Sequence, residues 1–405
     1  MDYLTRHKDF KNRKLNLDMT RGIPSKAQLE LSRGLLTCLR DDDFLSENGT
    51  DCRSYGVLDG LPEMKRIFAE ILELGCDEII VGNNSSLALM FDNVATNMAF
   101  GVREANPWAA HGRVKFLCPV PGYDRHFSIC NYFHIDMIPV AMKTDGPDMD
   151  MIERLVASDP QIKGIWCVPV FSNPTGVVYS DNTVLRFANL KPAAHDFRIY
   201  WDNAYIIHQF RGDKNCIPNI VRECANAGNP HLPLVFTSLS KVSYPGAAVA
   251  CIASSTENCE YILNRLKAQT IGSDKLRQLM HVRFFRNVDG IHSHMIKHAD
   301  ILRPKFDLVS EILHKELSGL PECDWTTPDG GYFVSVNTPK GKAKRVISLC
   351  KEVGVALTPA GATFPNGNDP DDRNIRIAPT FLPIGELHMA MEVFCNAVLF
   401  ASSEN

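Results

Sequence analysis

The chain has 405 residues, of which 45% are apolar, 22% charged and 9% aromatic, and its formal net charge is −4. That length exceeds one ordinary domain and predicts two, or one large α/β unit with a smaller one appended. The near-neutral charge leaves no electrostatic footprint for nucleic acid or an anionic membrane, and no apolar run approaches the roughly 20 residues needed to span a bilayer.

Residues 1–50 are polar, with a short helical pattern from Ala27 to Leu39. Leu61-Pro62 opens an amphipathic helix, since Met64, Ile67, Phe68, Ile71 and Leu72 recur at helical spacing behind an early proline. Short apolar runs then alternate with helical ones. The strands are expected at Glu78–Val81, Val114–Cys118, Ile135–Val140, Gly164–Val170, Arg198–Trp201, Leu234–Thr237 and Ala248–Ile252. Helices intervene at Ser85–Val102, Met149–Ala157, Asn182–Leu190 and Glu257–Thr270. This alternation predicts an α/β fold, with a mostly parallel seven-stranded sheet covered by helices on both faces.

After about residue 285 the pattern changes. A long helix over Ser293–Leu317 precedes short strands at Gly331–Val336, Val355–Thr358 and Asn374–Ala378, and a helix over Gly385–Leu399 closes the chain. The division expected is an N-terminal segment (1–50) joining the small domain, a large domain (51–285) and a smaller α+β domain (286–405). The thirteen cysteines are scattered without metal spacing, so no metal site is expected and reduced thiols fit a cytoplasmic protein. The N-terminus has no signal-peptide core.

Five polar clusters carry chemistry. Gly82-Asn-Asn-Ser-Ser86 lies between a strand and a helix, where free N–H groups and hydroxyls form an anion site or simply cap the helix. Asn173-Pro-Thr-Gly176 ends an apolar run; it is either a turn or a donor toward a phenolic oxygen on a cofactor ring. Asp202 ends another such run, with Tyr205 just beyond. A buried carboxylate needs a cationic partner, which a pyridinium N–H or a basic side chain would supply. Ser238-Leu-Ser-Lys241 follows a strand and sets a lysine among small residues, where burial would lower its pKa and make its amine a better nucleophile. Arg376, in Asn374-Ile-Arg-Ile-Ala378, suits bidentate binding of a carboxylate, whether from a protein side chain or a ligand.

In this order the clusters resemble those of the fold-type-I pyridoxal phosphate (PLP) enzymes, the class I/II aminotransferases, and most nearly the divergent aspartate-aminotransferase-like subgroup. The likeness extends through Asn16-Leu-Asp-Met-Thr-Arg-Gly22, Tyr55-Gly-Val-Leu-Asp-Gly-Leu-Pro62 and Thr270–Arg277. It implies a large PLP-binding domain in which Lys241 forms the Schiff base. Asp202 would pair with the pyridine nitrogen, and Asn173 and Tyr205 with the phenolic oxygen. Tyr123 would stack on the ring, while Asn84, Ser85, Ser86 and Ser238 hold the phosphate. Tyr55 would reach the phosphate of a neighbouring subunit, which makes a homodimer the expected assembly. Gly22 and Arg376 would meet the substrate, Arg376 at its α-carboxylate.

By the same resemblance the reaction is ping-pong transfer of an amino group, from aspartate or glutamate, to a 2-oxo acid. The competing expectations are an aromatic aminotransferase, a β-eliminating lyase or a non-catalytic PLP sensor. A dicarboxylate needs a second cation, for which Arg21, Lys275 and Arg277 are candidates, each read as a surface charge. The chain departs from the family in one respect. Where an arginine commonly reaches the phosphate after the lysine, Pro245-Gly-Ala-Ala-Val-Ala250 carries no positive charge.

Overall fold

The computed structural model describes residues 3–40, 42–82, 84–212 and 217–404. Its first strand, β1 (Leu17–Asp18), is followed by β2 (Ile79–Gly82), β3 (Lys115–Val120), β4 (Asp136–Lys143) and β5 (Gly146–Pro147). Next come β6 (Ile162–Cys167), β7 (Arg198–Asp202), β8 (Pro233–Ser238) and β9 (Ala250–Ala253). The last four are β10 (Asp324–Trp325), β11 (Val334–Asn337), β12 (Val355–Ala356) and β13 (Asn374–Ile377).

The large sheet runs β2-β9-β8-β7-β6-β3-β4-β5, with β9 antiparallel to both its neighbours and β5 a short antiparallel edge on β4. The seven expected strands are all present, and β5 makes an eighth that two residues could not announce in sequence. Period-2 alternation sends successive side chains to opposite faces. Leu117, Ile165, Cys167, Ile199, Trp201 and Val235 enter one apolar cluster. Their neighbours Phe116, Cys118, Trp166, Tyr200, Leu234 and Phe236 enter another. Because both faces are buried, these strands read as continuous apolar runs, as a mostly parallel sheet requires.

The second sheet, β10-β11-β13, is antiparallel, and β1 pairs in parallel with β12. Phe10, Leu17 and Met19 share a third cluster with Phe306, Val334, Ile375, Leu387 and Phe394, so the two ends of the chain pack into one core. The terminal helix Ile384–Ser403 is, against expectation, long and apolar enough by composition to cross a membrane. More than half of its most apolar window is buried inside the fold, against Val288–Leu317 and the N-terminal helix Tyr3–Asn12.

Among the described residues, five helices escaped the sequence pattern: Tyr3–Asn12, Asp124–Tyr132, Ile220–Asn226, Lys275–Phe285 and Ala343–Glu352. The pattern from Ala27 to Leu39 divides into an α-helix over Lys26–Leu31 and a 3₁₀ turn over Arg33–Thr37. The long helix starts earlier than expected, at Val288, because the Asn287 side chain accepts the Gly290 N–H at 3.0 Å and caps it.

The β1–β12 junction depends on one glycine. Gly354 has φ +88°, and a Cβ there would lie 1.8 Å from the Leu15 carbonyl oxygen. Its own carbonyl accepts from Leu17 N at 2.9 Å. Gly354→Ala is therefore expected to cost about 2 kcal/mol or more by prising the N-terminal segment from β12. Thermal melting checks this; an unchanged midpoint would contradict it.

Candidate active site

The parallel strands deliver their carboxyl ends to one rim, the position where ligands bind in open α/β sheets. Ser238 ends β8 and Asp202 ends β7, while Asn173 and Tyr123 follow β6 and β3 by short loops. Gly82, at the end of β2, and Ser238 both register with Ala250 of β9, which brings the helix Ser86–Phe100 to the same rim. Ser85 caps that helix without a side-chain hydrogen bond, and Ser86 opens it. Asn83, of the same sequence motif, lies outside the described residues.

Asp202 is 3% exposed. Its Oδ2 is 3.0 Å from Nε2 of His126, while its buried Oδ1 has no hydrogen-bond partner. His126 stacks on Trp166 with ring centres 4.5 Å apart and planes at 11°. The stack fixes the imidazole, the imidazole fixes one carboxylate oxygen, and the other is left as an unmatched acceptor. A buried acceptor of this kind is costly unless a donor arrives. A pyridinium N–H fits it.

Lys241 is half-buried. Its Nζ lies 5.0 Å from the centre of the Tyr205 ring and 5.9 Å from that of Tyr332. Burial lowers its pKa below the usual lysine range, partly offset by the charge of Asp202. Tyr205 is buried and stacks on Tyr332, and burial pushes its hydroxyl pKa well up, so it stays a neutral donor. Tyr123 stands edge-on to His126 at 5.0 Å. Ser238 Oγ bonds Ser240 Oγ at 2.7 Å.

Arg376 comes from β13 and crosses to this rim. Its Nη1 donates to Asn173 Oδ1 at 3.3 Å and to Asp124 Oδ1 at 3.0 Å, and its Nη2 to Thr358 Oγ1 at 3.3 Å. The guanidinium lies 4.8 Å above the Phe333 ring, and its buried Nε has no partner. Gly22 packs against the same ring: a Cβ at Gly22 would fall 2.1 Å from Phe333 Cζ. A side chain there would displace the ring from under Arg376.

The structure does not bring every expected residue here. Tyr55 is 80% exposed. Arg21 has a 65% exposed side chain and pairs with Asp18 at 3.5 Å. Arg277 pairs with Asp274 at 3.2 Å. Lys275 is no surface charge: it is buried, and its Nζ donates to the Gly56 carbonyl at 2.8 Å, holding the loop that carries Tyr55. The segment lacking the arginine contributes no cation either, since Ala248, Val249 and Ala250 are buried.

Sequence reasoning missed His126, Asp124, Arg125 and Thr358. The only signal for the first three was ionisable residues crowded just after Pro121-Gly122. Also missed was a row of buried histidines near the lysine. His281 Nε2 meets Ser243 Oγ at 2.8 Å, and His294 Nε2 meets the Val242 carbonyl at 3.0 Å. His208 lies 5.7 Å from the Tyr205 and Tyr332 rings. Among the described residues there is no cluster suited to a metal ion.

The sequence matches the aspartate amino-transferase family over residues 2–405. A protein of Mycolicibacterium smegmatis is 46% identical over 399 residues, covering 98% of this chain and 93% of its own. An aspartate aminotransferase of Corynebacterium glutamicum is 42% identical over 398 residues, covering 98% and 92%. The crystal structure of an aspartate transaminase from C. glutamicum superposes with a TM-score of 0.97 at 42% identity, over 99% of this chain and 95% of its own. An α-aminoadipate aminotransferase of Thermus thermophilus, complexed with N-(5′-phosphopyridoxyl)-L-leucine, shares the fold with a TM-score of 0.78 at 18% identity, over 98% and 95%.

The buried histidines set an acid limit. Burial depresses the pKa of His208 to about 3 and those of His281 and His298 to about 4. The unfolded chain, with ordinary histidines, therefore binds more protons below about pH 6.5, and stability must fall as pH drops. Each such group contributes up to about 1.4 kcal/mol per pH unit. The melting midpoint should therefore fall between pH 7 and pH 5, and less steeply in His281→Gln. A flat profile in the parent chain would contradict this account.

Proposed function

The chain belongs to the aspartate aminotransferase family, and on that premise we propose that it transfers the amino group of aspartate or glutamate to a 2-oxo acid, using pyridoxal 5′-phosphate bonded to Lys241. The observation that carries this reading is the buried, unpartnered Oδ1 of Asp202, on a carboxylate whose other oxygen is held by His126. The T. thermophilus neighbour, which holds a phosphopyridoxyl adduct, supports the choice of cofactor.

When bound, the cofactor supplies an electron sink for the electrons left as the substrate's Cα loses its proton. The protein's part is positional and electrostatic. Asp202 would accept the ring N–H and so keep that nitrogen charged. Tyr205 and Asn173 would donate to the ring oxygen, and Tyr123 would cover the ring. Asn84, Ser85, Ser86 and the helix start would hold the phosphate, together with Ser238. Lys241, its pKa lowered by burial, would bond the cofactor through its amine and, when free of it, would take the proton from the substrate's Cα. Arg376 would receive the α-carboxylate, its guanidinium held over the Phe333 ring that Gly22 leaves room for.

The second carboxylate is assigned to Arg125 rather than Arg21. Asp124 accepts from Arg376, and Arg125 Nε stands 4.0 Å from its other oxygen with the side chain 61% exposed. Two guanidiniums thus share one carboxylate, leaving a positive charge at the mouth for a dicarboxylic amino acid. A homodimer completes the proposal, with the exposed Tyr55 reaching the phosphate of the other subunit. The small unit is taken as 286–405 with 1–50 joined to it, and the large one as 51–285; the core shared by Phe10, Leu17 and Val334 supports that joining.

Titration of the purified protein's visible absorbance with single amino acids tests the reading. Aspartate or glutamate should bleach the band near 400 nm (on the order of the usual PLP–lysine position), and 2-oxoglutarate or oxaloacetate should restore it. A band indifferent to every amino acid would contradict it. Lys241→Ala should lose both the lysine-bonded band and amino transfer; an intact band would refute the assignment. Arg125→Ala should raise the KM for aspartate about tenfold or more while sparing alanine, and an equal effect on both would remove Arg125 from the side-chain role.

A further inference from the structure

The turn carrying Lys241 has two carbonyls, those of Lys241 and Val242, that belong to no helix or strand ladder. Buried carbonyls need donors. Here side chains from distant segments supply them. Tyr332 Oη donates to the Lys241 carbonyl at 3.4 Å. The Val242 carbonyl accepts from Ser32 Oγ at 3.5 Å, with His294 Nε2 3.0 Å away.

The first of these leads back to Gln28, which is fully buried. Its Oε1 accepts from Ser25 N at 3.0 Å in a capping box, and this fixes which end of the amide is oxygen. Its Nε2 then donates to Tyr332 Oη at 3.0 Å and to His298 Nδ1 at 3.0 Å. His298 accordingly carries its proton on Nε2, which donates to His294 Nε2 at 3.1 Å; that nitrogen is then an acceptor, and the Val242 carbonyl accepts from Ser32 Oγ. A directional chain results: Gln28 donates to Tyr332, and Tyr332 donates to the lysine's own carbonyl. Each bond strengthens the next in a buried setting.

We propose that Gln28 is a positioning residue for Lys241, holding its main chain through the Tyr332 hydroxyl. The proposal rests on the reading of Lys241 as the cofactor-bonding residue. It also joins two ends of the site. Tyr332 is followed by Phe333, the ring beneath Arg376, and Gln28 lies on the segment whose Gly22 packs on that ring. One N-terminal segment thus braces both the lysine and the carboxylate seat.

The test uses the holoenzyme with Tyr332→Phe, Gln28→Leu, their double variant and Ser25→Ala. Tyr332→Phe keeps the ring and removes only the hydroxyl. It should lower kcat for aspartate about tenfold with KM within about twofold, and should alter the visible circular dichroism of the bound cofactor. Gln28→Leu should do at least as much, and the double variant no more than Gln28→Leu, because both act along one chain of bonds. Ser25→Ala removes the cap but leaves the amide donor; it should lower the melting midpoint while sparing kcat and the dichroism. A folded Tyr332→Phe holoenzyme with unchanged kcat and dichroism would overturn the proposal, as would Ser25→Ala matching Gln28→Leu in both. A parent protein with no cofactor band would fail earlier, at the Lys241 premise, and would take this proposal with it.

Discussion

The arrangement depends on a buried carboxylate that is only half satisfied. Asp202 sits at the end of a central strand with one oxygen bonded to His126 and the other without a donor. Leaving a buried charge unmatched is expensive, so the surrounding structure must hold it in place. It does so through the stack of His126 on Trp166, and Trp166 is itself bound to Cys130 through its ring N–H at 3.2 Å. Stability is given up at this point, and what is gained is an acceptor ready for one particular donor. The sheet, with its central strands ending on one rim, exists around that point.

The fold was largely legible because its signals are local. Parallel strands buried on both faces must be apolar throughout, and each expected strand from Glu78–Val81 to Ala248–Ile252 met its counterpart with small shifts at the ends. Lys275–Phe285 was not legible: buried residues such as Gln278, Leu279, His281 and Val282 surround it, so no single apolar stripe marks it as a helix. The helix over Asp124–Tyr132 follows a Pro-Gly turn and mixes charged with apolar residues, which hid it in the same way.

The site was legible in part. Lys241, Asp202, Asn173 and Arg376 stand in short motifs whose order carries information. Their supports do not. His126 reaches Asp202 across 76 positions, and Gln28 reaches Tyr332 across 304. No local pattern distinguishes such residues from satisfied core polars. Gly22 was placed at the substrate by likeness alone; what the structure shows is that Phe333 occupies the space of any side chain there. Lys275, read as a surface charge, turned out to be a buried donor, because its acceptor is a backbone carbonyl that sequence cannot indicate.

The central claim is that Asp202 Oδ1 receives a proton-bearing ring nitrogen. The most direct measurement is the ¹⁵N chemical shift of ring-labelled pyridoxal 5′-phosphate bound to the protein, read in the parent chain and in Asp202→Asn. The account predicts a protonated nitrogen in the parent and loss of that protonation in the variant. An unprotonated ring nitrogen in the parent, or no change between the two, would contradict it.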